Sequence, residues 1–308
     1  MKGRLVYYFH QFLREFNNHG PRSAAVKMLE FLVRRRLFIG FLLESFEYHV
    51  LSRFRDLDTT LIQAWTFSPL QPGRVLIYVG FDAKSELKPH VIGQLEVFQK
   101  LGYQIVFVST SLYLESNQLE LLRNSCHVVI HRKNLGYDFC SWKLGYQVLS
   151  SNRGAIESLI LMNDSCLGPS FDLDNVLRQM RQSTGAVFGI TKSYEIDEYI
   201  QSYFFHFGKD LIRVGLVDQF FDRVRILNSK WSIVRYLEIG SSRFFRRHSI
   251  SLMALVDPRE SRIAEIMKRY SQTDPVVDPA GRVWNELGIS PFYKRSNLDK
   301  KSSQKTPS

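Results

Sequence analysis

Four short aliphatic runs, Val75–Val79, Gln104–Val108, Val128–Ile130 and Leu159–Met162, alternate with stretches of helical periodicity near 88–101, 114–123 and 139–150. Strands and helices alternating at this length bury a common core as a largely parallel sheet with right-handed crossovers. An α/β domain of that kind binds ligands outside the carboxyl ends of its strands, so the turns that follow the runs are the candidate site.

Those turns are polar and carry charge. After the first run stand Gly80-Phe81-Asp82, where a nucleotide base or ribose would lie and Asp82 would accept hydrogen bonds. After the third come Arg132, Lys133 and Asn134, then Gly136 for a close turn and Asp138 as a helix N-cap, with Ser141 at the third helical position. After the fourth come Asn163, Asp164 and Ser165. A basic pair, a helix N-terminus and an acidic residue around one crevice suit a diphosphate, with or without a divalent metal. Each turn taken singly is also what an ordinary loop needs: a cap at Asp138, a bend at Asn134-Leu135-Gly136, a loop from Asp164 to Gly168-Pro169.

Several chemistries are excluded by what is missing. No G-x-G-x-x-G follows the first run, and no G-x-x-x-x-G-K, G-x-S-x-G or H-E-x-x-H occurs anywhere, which argues against dehydrogenase, NTPase, serine-hydrolase and zincin readings. The formal charge of +11 calls for an anionic partner. Its arginines and lysines are scattered among Arg34–Arg36, Arg243, Arg246, Arg247 and the tail at Lys300, Lys301 and Lys305, with no zinc-finger spacing and no aromatic ribonucleoprotein motif. That distribution argues against nucleic acid as the partner. Cys126, Cys140 and Cys166 are odd in number and match neither a zinc site nor a disulfide scaffold, which fits a reducing, cytoplasmic setting.

Residues 1–70 are expected to form a separate helical, basic and aromatic segment. Leu5, Val6, Phe9, Phe12, Leu13 and Phe16 recur at helical spacing until Gly20-Pro21, and a second pattern runs from Met28 through the triple arginine to Leu43. Its apolar run at 37–43 is too short for a hydrocarbon core that needs about 20 residues. No cleavable signal sequence is expected. Two readings stay open: residues 1–56 hold the chain on an anionic membrane surface, or these helices pack on the domain that follows. Residues 71–298 are expected to be the catalytic-sized domain, and 299–308 a disordered tail.

A set of words in fixed order ties these pieces to a known family. They are Val75–Val79; Arg132 with Asn134–Phe139 and Ser141-Trp142-Lys143; Asn163-Asp164-Ser165 with Gly168-Pro169; and Phe188–Thr191 with Gln201–Phe204. Tyr236 with Glu238-Ile239-Gly240, Trp284–Leu287, Pro291-Phe292 and Lys294-Arg295 complete the set. With these words the chain resembles the rhamnan synthesis protein F family, whose members look like GT-A type glycosyltransferases of bacterial rhamnose polysaccharide and O-antigen assembly.

The resemblance implies a GT-A-like nucleotide-sugar-binding fold, with a mostly parallel sheet preceded by the amphipathic N-terminal segment. It implies transfer of a sugar, rhamnose from dTDP-rhamnose, to a lipid-linked glycan by an enzyme at the cytoplasmic face of the plasma membrane. It places Tyr78, Asp82, Arg132, Asn134, Gly136, Asp138, Lys143, Asn163 and Ser165 on the donor side, and Gln201, Ser202 and Tyr203 on the acceptor side. Asp164 would hold Mg²⁺ or Mn²⁺ on the diphosphate, although the turn has one carboxylate where the D-x-D motif has two. Arg132, Lys133 or Lys143 would otherwise neutralise the leaving group. Glu238 is the implied base that takes the acceptor hydroxyl's proton. The alternative is a non-catalytic assembly partner that keeps the fold and binds nucleotide-sugar or glycan without turning it over.

Overall fold

The computed structural model describes residues 39–294, apart from 41, 152, 172, 195 and 272–282. The helical patterns at Leu5–Phe16 and Met28–Val33, the triple arginine and the tail therefore lie outside the described residues. The chain divides into two compact units, Met1–Phe54 and Arg55–Ser308. The described part of the first holds a helix, α1, over residues 42–49 and a 3₁₀ turn at Leu51–Phe54.

In the second unit β1 is Leu61–Thr66, β2 Gly73–Gly80, α2 Pro89–Lys100, β3 Tyr103–Ser109, α3 Ser116–Arg123, β4 Val128–Arg132, α4 Tyr137–Gln147 and β5 Ile156–Asn163. Then come β6 Cys166–Leu167, α5 Leu173–Gln182, β7 Ala186–Ser193, β8 Tyr199–Ile200, β9 Phe204–Gly208, α6 Lys209–Arg213 and α7 Leu216–Arg223. One turn at Lys230–Ser232, α8, runs into a π-helical segment Ile233–Glu238 and then α9, Ile239–Arg247. The last elements are β10 Ser251–Val256, α10 Ser261–Ser271, α11 Val283–Glu286 and β11 Tyr293–Lys294.

All four predicted strands and the three helices between them are present. The nine-stranded sheet has the order β1-β4-β3-β2-β5-β9-β7-β10, with β8 on β7 and a separate ribbon of β6 and β11. The run β4-β3-β2-β5 is parallel. Beyond it the expectation of a mostly parallel sheet is met only in part: β10 is parallel to β7, but β9 is antiparallel to both β5 and β7, and β1 is antiparallel to β4. The reason is chain length: the link from Ser193 to Phe204 is shorter than a parallel crossover requires, so β9 must return in the opposite direction. Leu61–Thr66 likewise corrects the helical reading of residues 1–70; it is a mostly exposed edge strand.

Helices cover both faces. Leu76 and Tyr78 of β2 join Val91, Leu95 and Phe98 of α2 and Leu173, Leu177 and Met180 of α5 in one buried cluster. On the opposite face Phe139 and Trp142 of α4 meet Phe205, which stacks on Phe207, and the aromatic chain continues through Phe220 to Phe245 of α9. Gly145 lets α4 lie close on the sheet: a Cβ there would come within 2.6 Å of Ile77 Cγ2. Strand order reverses between β2 and β5, so their carboxyl ends flank the crevice where such folds take ligands.

Candidate active site

Gly80–Asp82 and Asp164 meet at that reversal. The Asp164 amide donates to Val79 O at 3.1 Å, and the Phe81 amide donates to Asp164 Oδ2 at 3.4 Å. Beside them opens a shallow, solvent-open cleft lined by Phe81, Asp82, Lys88, Ser111, Tyr113 and Asp164 among others. Hydrogen bonds stitch the loops after β2 and β3 into its walls: Asp82 N to Ser111 Oγ, Tyr113 N to Ser85 Oγ, and Gln118 Nε2 to Ser85 O. Phe81 and Tyr113 are both exposed, so the cleft offers aromatic surface beside polar groups, as nucleotide sites do. Ser111, Tyr113 and Gln118 were missed from sequence, although the polar Ser109-Thr110-Ser111 after the second run is the same kind of signal.

Asp82 borders the cleft with its oxygens already engaged. It pairs with Lys88 Nζ at 2.6 Å and accepts the Lys84 and Glu86 amides. The Lys88 hydrogen bond holds its carboxyl well down, at about 2, against a smaller opposing effect of desolvation.

Three nominated donor residues point elsewhere. Arg132 is fully buried and donates to Thr60 Oγ1, Ser141 Oγ and Leu135 O, which makes it a strut between β4 and the start of α4. Lys143 donates to Val224 O at 3.2 Å, just beyond the end of α7. Tyr78 is buried beneath α2 and donates to Gln94 Oε1, while Gln94 donates to Cys166 O and Gly168 O. Asn134 is exposed in the loop before α4, as is Lys133. The cap assignment is corrected too: Gly136, at φ +73°, is the N-cap, and Asp138 is the second residue of α4. A Cβ at Gly136 would collide with Cys140 Sγ at 2.4 Å, so the left-handed turn and the close approach both require glycine there.

Asp138, Asn163 and Ser165 do converge. Asn163 Nδ2 donates to Asp138 Oδ2 at 2.8 Å, and Asn163 Oδ1 accepts the Ser165 amide at 3.1 Å and Ser165 Oγ at 2.5 Å. Burial pushes the Asp138 carboxyl up to about 6; the Asn163 bond opposes this, repulsion from Asp164 and Glu238 adds to it, and Arg132 pulls it back. Asp138, Asp164 and Glu238 thus share one electrostatic neighbourhood.

Glu238 closes the π-helical segment, a distortion that frequently marks functional sites. Its Oε1 accepts the Ser202 amide at 2.9 Å, which ties Glu238 to the loop that carries Gln201, Ser202 and Tyr203. The same face of α9 holds that loop twice more: Ser242 Oγ accepts the Ile200 amide, and Arg246 with Arg243 grips Asp197. Gln201 is buried with Oε1 unpartnered, and the buried Tyr203 hydroxyl is bonded to Thr191 Oγ1 at 2.6 Å. Lys294 lies over the Tyr203 ring at 5.5 Å, on a strand paired with Cys166. Among the described residues no three His, Cys, Asp or Glu side chains converge as a metal cage. Asp164 fits an ion held by one carboxylate and completed by substrate phosphates and water.

Known proteins resemble parts of this chain. The uncharacterized protein y4gN of Sinorhizobium fredii (strain NBRC 101917 / NGR234) is 30% identical over 194 residues, 60% of this chain and 49% of that protein. Virulence protein VirA of Vibrio anguillarum is 31% identical over 119 residues, 38% of this chain and 36% of that protein. The chain therefore spans about half the length of the first and about a third of the second. Among solved structures, a glycosyltransferase involved in the glycosylation of the major capsid of PBCV-1 aligns with a TM-score of 0.38 at 10% identity, over 75% of this chain and 99% of that one. Residues 105–307 match the family model of rhamnan synthesis protein F. The matched stretch takes in α4, the Asn163–Ser165 turn and Glu238, and the chain belongs to the rhamnan synthesis protein F family.

Proposed function

We propose that this chain is a GT-A-like glycosyltransferase that moves a sugar from a nucleotide-diphosphate donor to a glycan hydroxyl. The observation that carries this is the cleft at the reversal of strand order, with Asp164 on its edge and in the electrostatic range of Asp138 and Glu238. The nucleoside occupies the cleft between Phe81 and Tyr113, and its diphosphate reaches Asp164. A Mg²⁺ or Mn²⁺ ion on Asp164 would supply positive charge to the leaving diphosphate.

Glu238 takes the proton from the acceptor hydroxyl as that oxygen attacks the anomeric carbon; the bond to the diphosphate breaks, and its electron pair leaves with the nucleotide. Ser202 N–H orients the carboxylate through Oε1, which leaves the other oxygen for the proton.

Rhamnose from dTDP-rhamnose and a lipid-linked acceptor in cell-surface polysaccharide or O-antigen assembly are the substrates proposed, on the strength of the family alone. A peripheral position on the cytoplasmic face of the plasma membrane accords with exposed Leu42, Leu43, Phe46 and Phe54 around α1 and with the charge of +11. No helix among the described residues is long and apolar enough to cross a membrane.

The test is transfer of labelled sugar from dTDP-rhamnose and a panel of UDP- and GDP-sugars to a lipid-linked glycan. Turnover that disappears in Asp164→Ala and Glu238→Gln supports the reading. Nucleotide binding without turnover would reassign the chain to a non-catalytic assembly role.

A further inference from the structure

We infer that Asp138 is a positioning residue: by accepting the Asn163 amide it fixes the turn that presents Asp164, and it acts there as a hydrogen-bond acceptor. The inference rests on the glycosyl-transfer reading for its functional consequence, although its geometry stands independently of that reading.

Asn163 is 5% exposed and ends β5. Its Oδ1 takes both the amide and the hydroxyl of Ser165, which closes a turn around Asp164, and its Nδ2 is directed at Asp138 Oδ2. Reversing that amide would set its NH₂ against the Ser165 N–H and its carbonyl against a carboxylate, so two bonds would be lost and two repulsions created, with only the Ser165 hydroxyl able to turn and accept. Only one orientation is therefore available to Asn163 while Asp138 stands opposite it.

Asp138 is in turn held by what surrounds it in the chain. It lies two residues after the left-handed Gly136, whose position no side chain fits, in the first turn of a helix whose Trp142 Nε1 donates to Met162 O at 3.1 Å. The start of α4 and the end of β5 are joined at two adjacent points, Trp142 to Met162 and Asn163 to Asp138. Further ties run from the Asp164 amide to Val79 O of β2, from the Phe81 amide to Asp164 Oδ2, from the Asn163 amide to Tyr203 O, and between His90 Nε2 and Asp164 O. Asp164 sits among these anchors, and the Asp138 bond is the one that fixes the Asn163 side chain on the α4 side, so removing it loosens the turn there. Misplacement of a catalytic group by about 1 Å is enough to cost about 100-fold in rate.

Four full-length variants test this: Asp138→Asn, Asp138→Ala, Asn163→Asp, and the double swap Asp138→Asn with Asn163→Asp. The readouts are amide hydrogen exchange across residues 163–168, and kcat and KM for sugar transfer. An asparagine at 138 still accepts from Asn163, so that variant is expected to keep wild-type protection and a kcat within about threefold. Asp138→Ala and Asn163→Asp are expected to exchange about 10-fold faster in the turn and to lose about 10- to 100-fold in kcat, with KM changing less. The double swap re-forms an amide–carboxylate bond in the opposite sense and is expected to regain both.

Asp138→Asn as impaired as Asp138→Ala would overturn the inference, because Asp138 would then act by its charge. A double swap no better than Asn163→Asp would overturn it as well. If Asp138→Ala does not fold, Asn163→Asp and its swap carry the same comparison. A wild type that transfers no sugar would sink the proposed function, and the exchange pattern alone would then decide: loss in Asn163→Asp with recovery in the swap upholds the positioning role, and equal protection in all variants refutes it.

Discussion

Replacing Asp138 by asparagine is expected to raise the stability of this chain at neutral pH. In the folded protein its carboxyl is pushed up to about 6 by burial, with repulsion from Asp164 and Glu238 adding to the rise. A carboxyl of this type titrates near 3.9 when unfolded, so the displacement is about two units, and at about 1.4 kcal/mol per unit the ionised carboxylate costs about 3 kcal/mol. Asparagine removes the charge and keeps an acceptor for Asn163 Nδ2, but it forfeits the attraction of Arg132; a net gain of about 1–3 kcal/mol is expected, or several degrees in Tm.

The sign in pH follows from proton counting. Between about pH 4 and pH 6 the folded chain holds the Asp138 proton more tightly than the unfolded chain does, so this group's contribution is fully present below pH 4 and is lost as pH rises through 6. The difference between Asp138→Asn and wild type should therefore be near zero at pH 4 and reach a plateau above about pH 6.5. Urea unfolding of both proteins at half-unit steps from pH 4 to pH 8 measures it directly. A difference of zero at pH 7, or one already complete at pH 4, would refute the reasoning.

Other substitutions separate scaffold from chemistry. Glu238→Gln keeps an acceptor for the Ser202 amide and should melt as wild type does while transfer falls by about 100- to 10,000-fold, measured as kcat. Arg132→Ala leaves the buried Thr60 and Ser141 hydroxyls and the Leu135 carbonyl short of a donor and should cost about 2–4 kcal/mol in urea unfolding, with nucleotide affinity of the folded fraction unchanged. Gly145→Ala sets a methyl against Ile77 and should cost about 1–3 kcal/mol by the same assay.

How far the sequence carried depended on whether a feature was local. The parallel strands were legible because Val75–Val79 and its counterparts are aliphatic runs bounded by turns and separated by helical spacing. The antiparallel return was not, since Phe204–Gly208 is buried throughout and has no alternation to mark direction, and β1 is exposed along most of its length. In the site, the turns at Asp82 and Asn163–Ser165 were found by their place after strands. The direction of a side chain at a strand end was beyond that reasoning: Arg132 closes β4 but turns inward to Thr60 and Ser141, and Tyr78 faces Gln94 under α2. The Asp138–Asn163 bond joins residues 25 apart in sequence, and the π-helical segment ending at Glu238 has no periodic signature. Both depend on tertiary packing.

The central claim is that a nucleotide-sugar binds at the carboxyl ends of β2 and β5, and thermal shift of the full chain with dTDP, UDP and GDP, each with and without Mn²⁺ or Mg²⁺, tests it most directly. At a nucleotide concentration 100 times Kd, stabilisation of about 2.7 kcal/mol is expected from one of the three, falling sharply in Tyr113→Ala and losing its metal dependence in Asp164→Ala. No shift from any nucleotide with the folded wild type, or a shift untouched by both substitutions, would contradict the account.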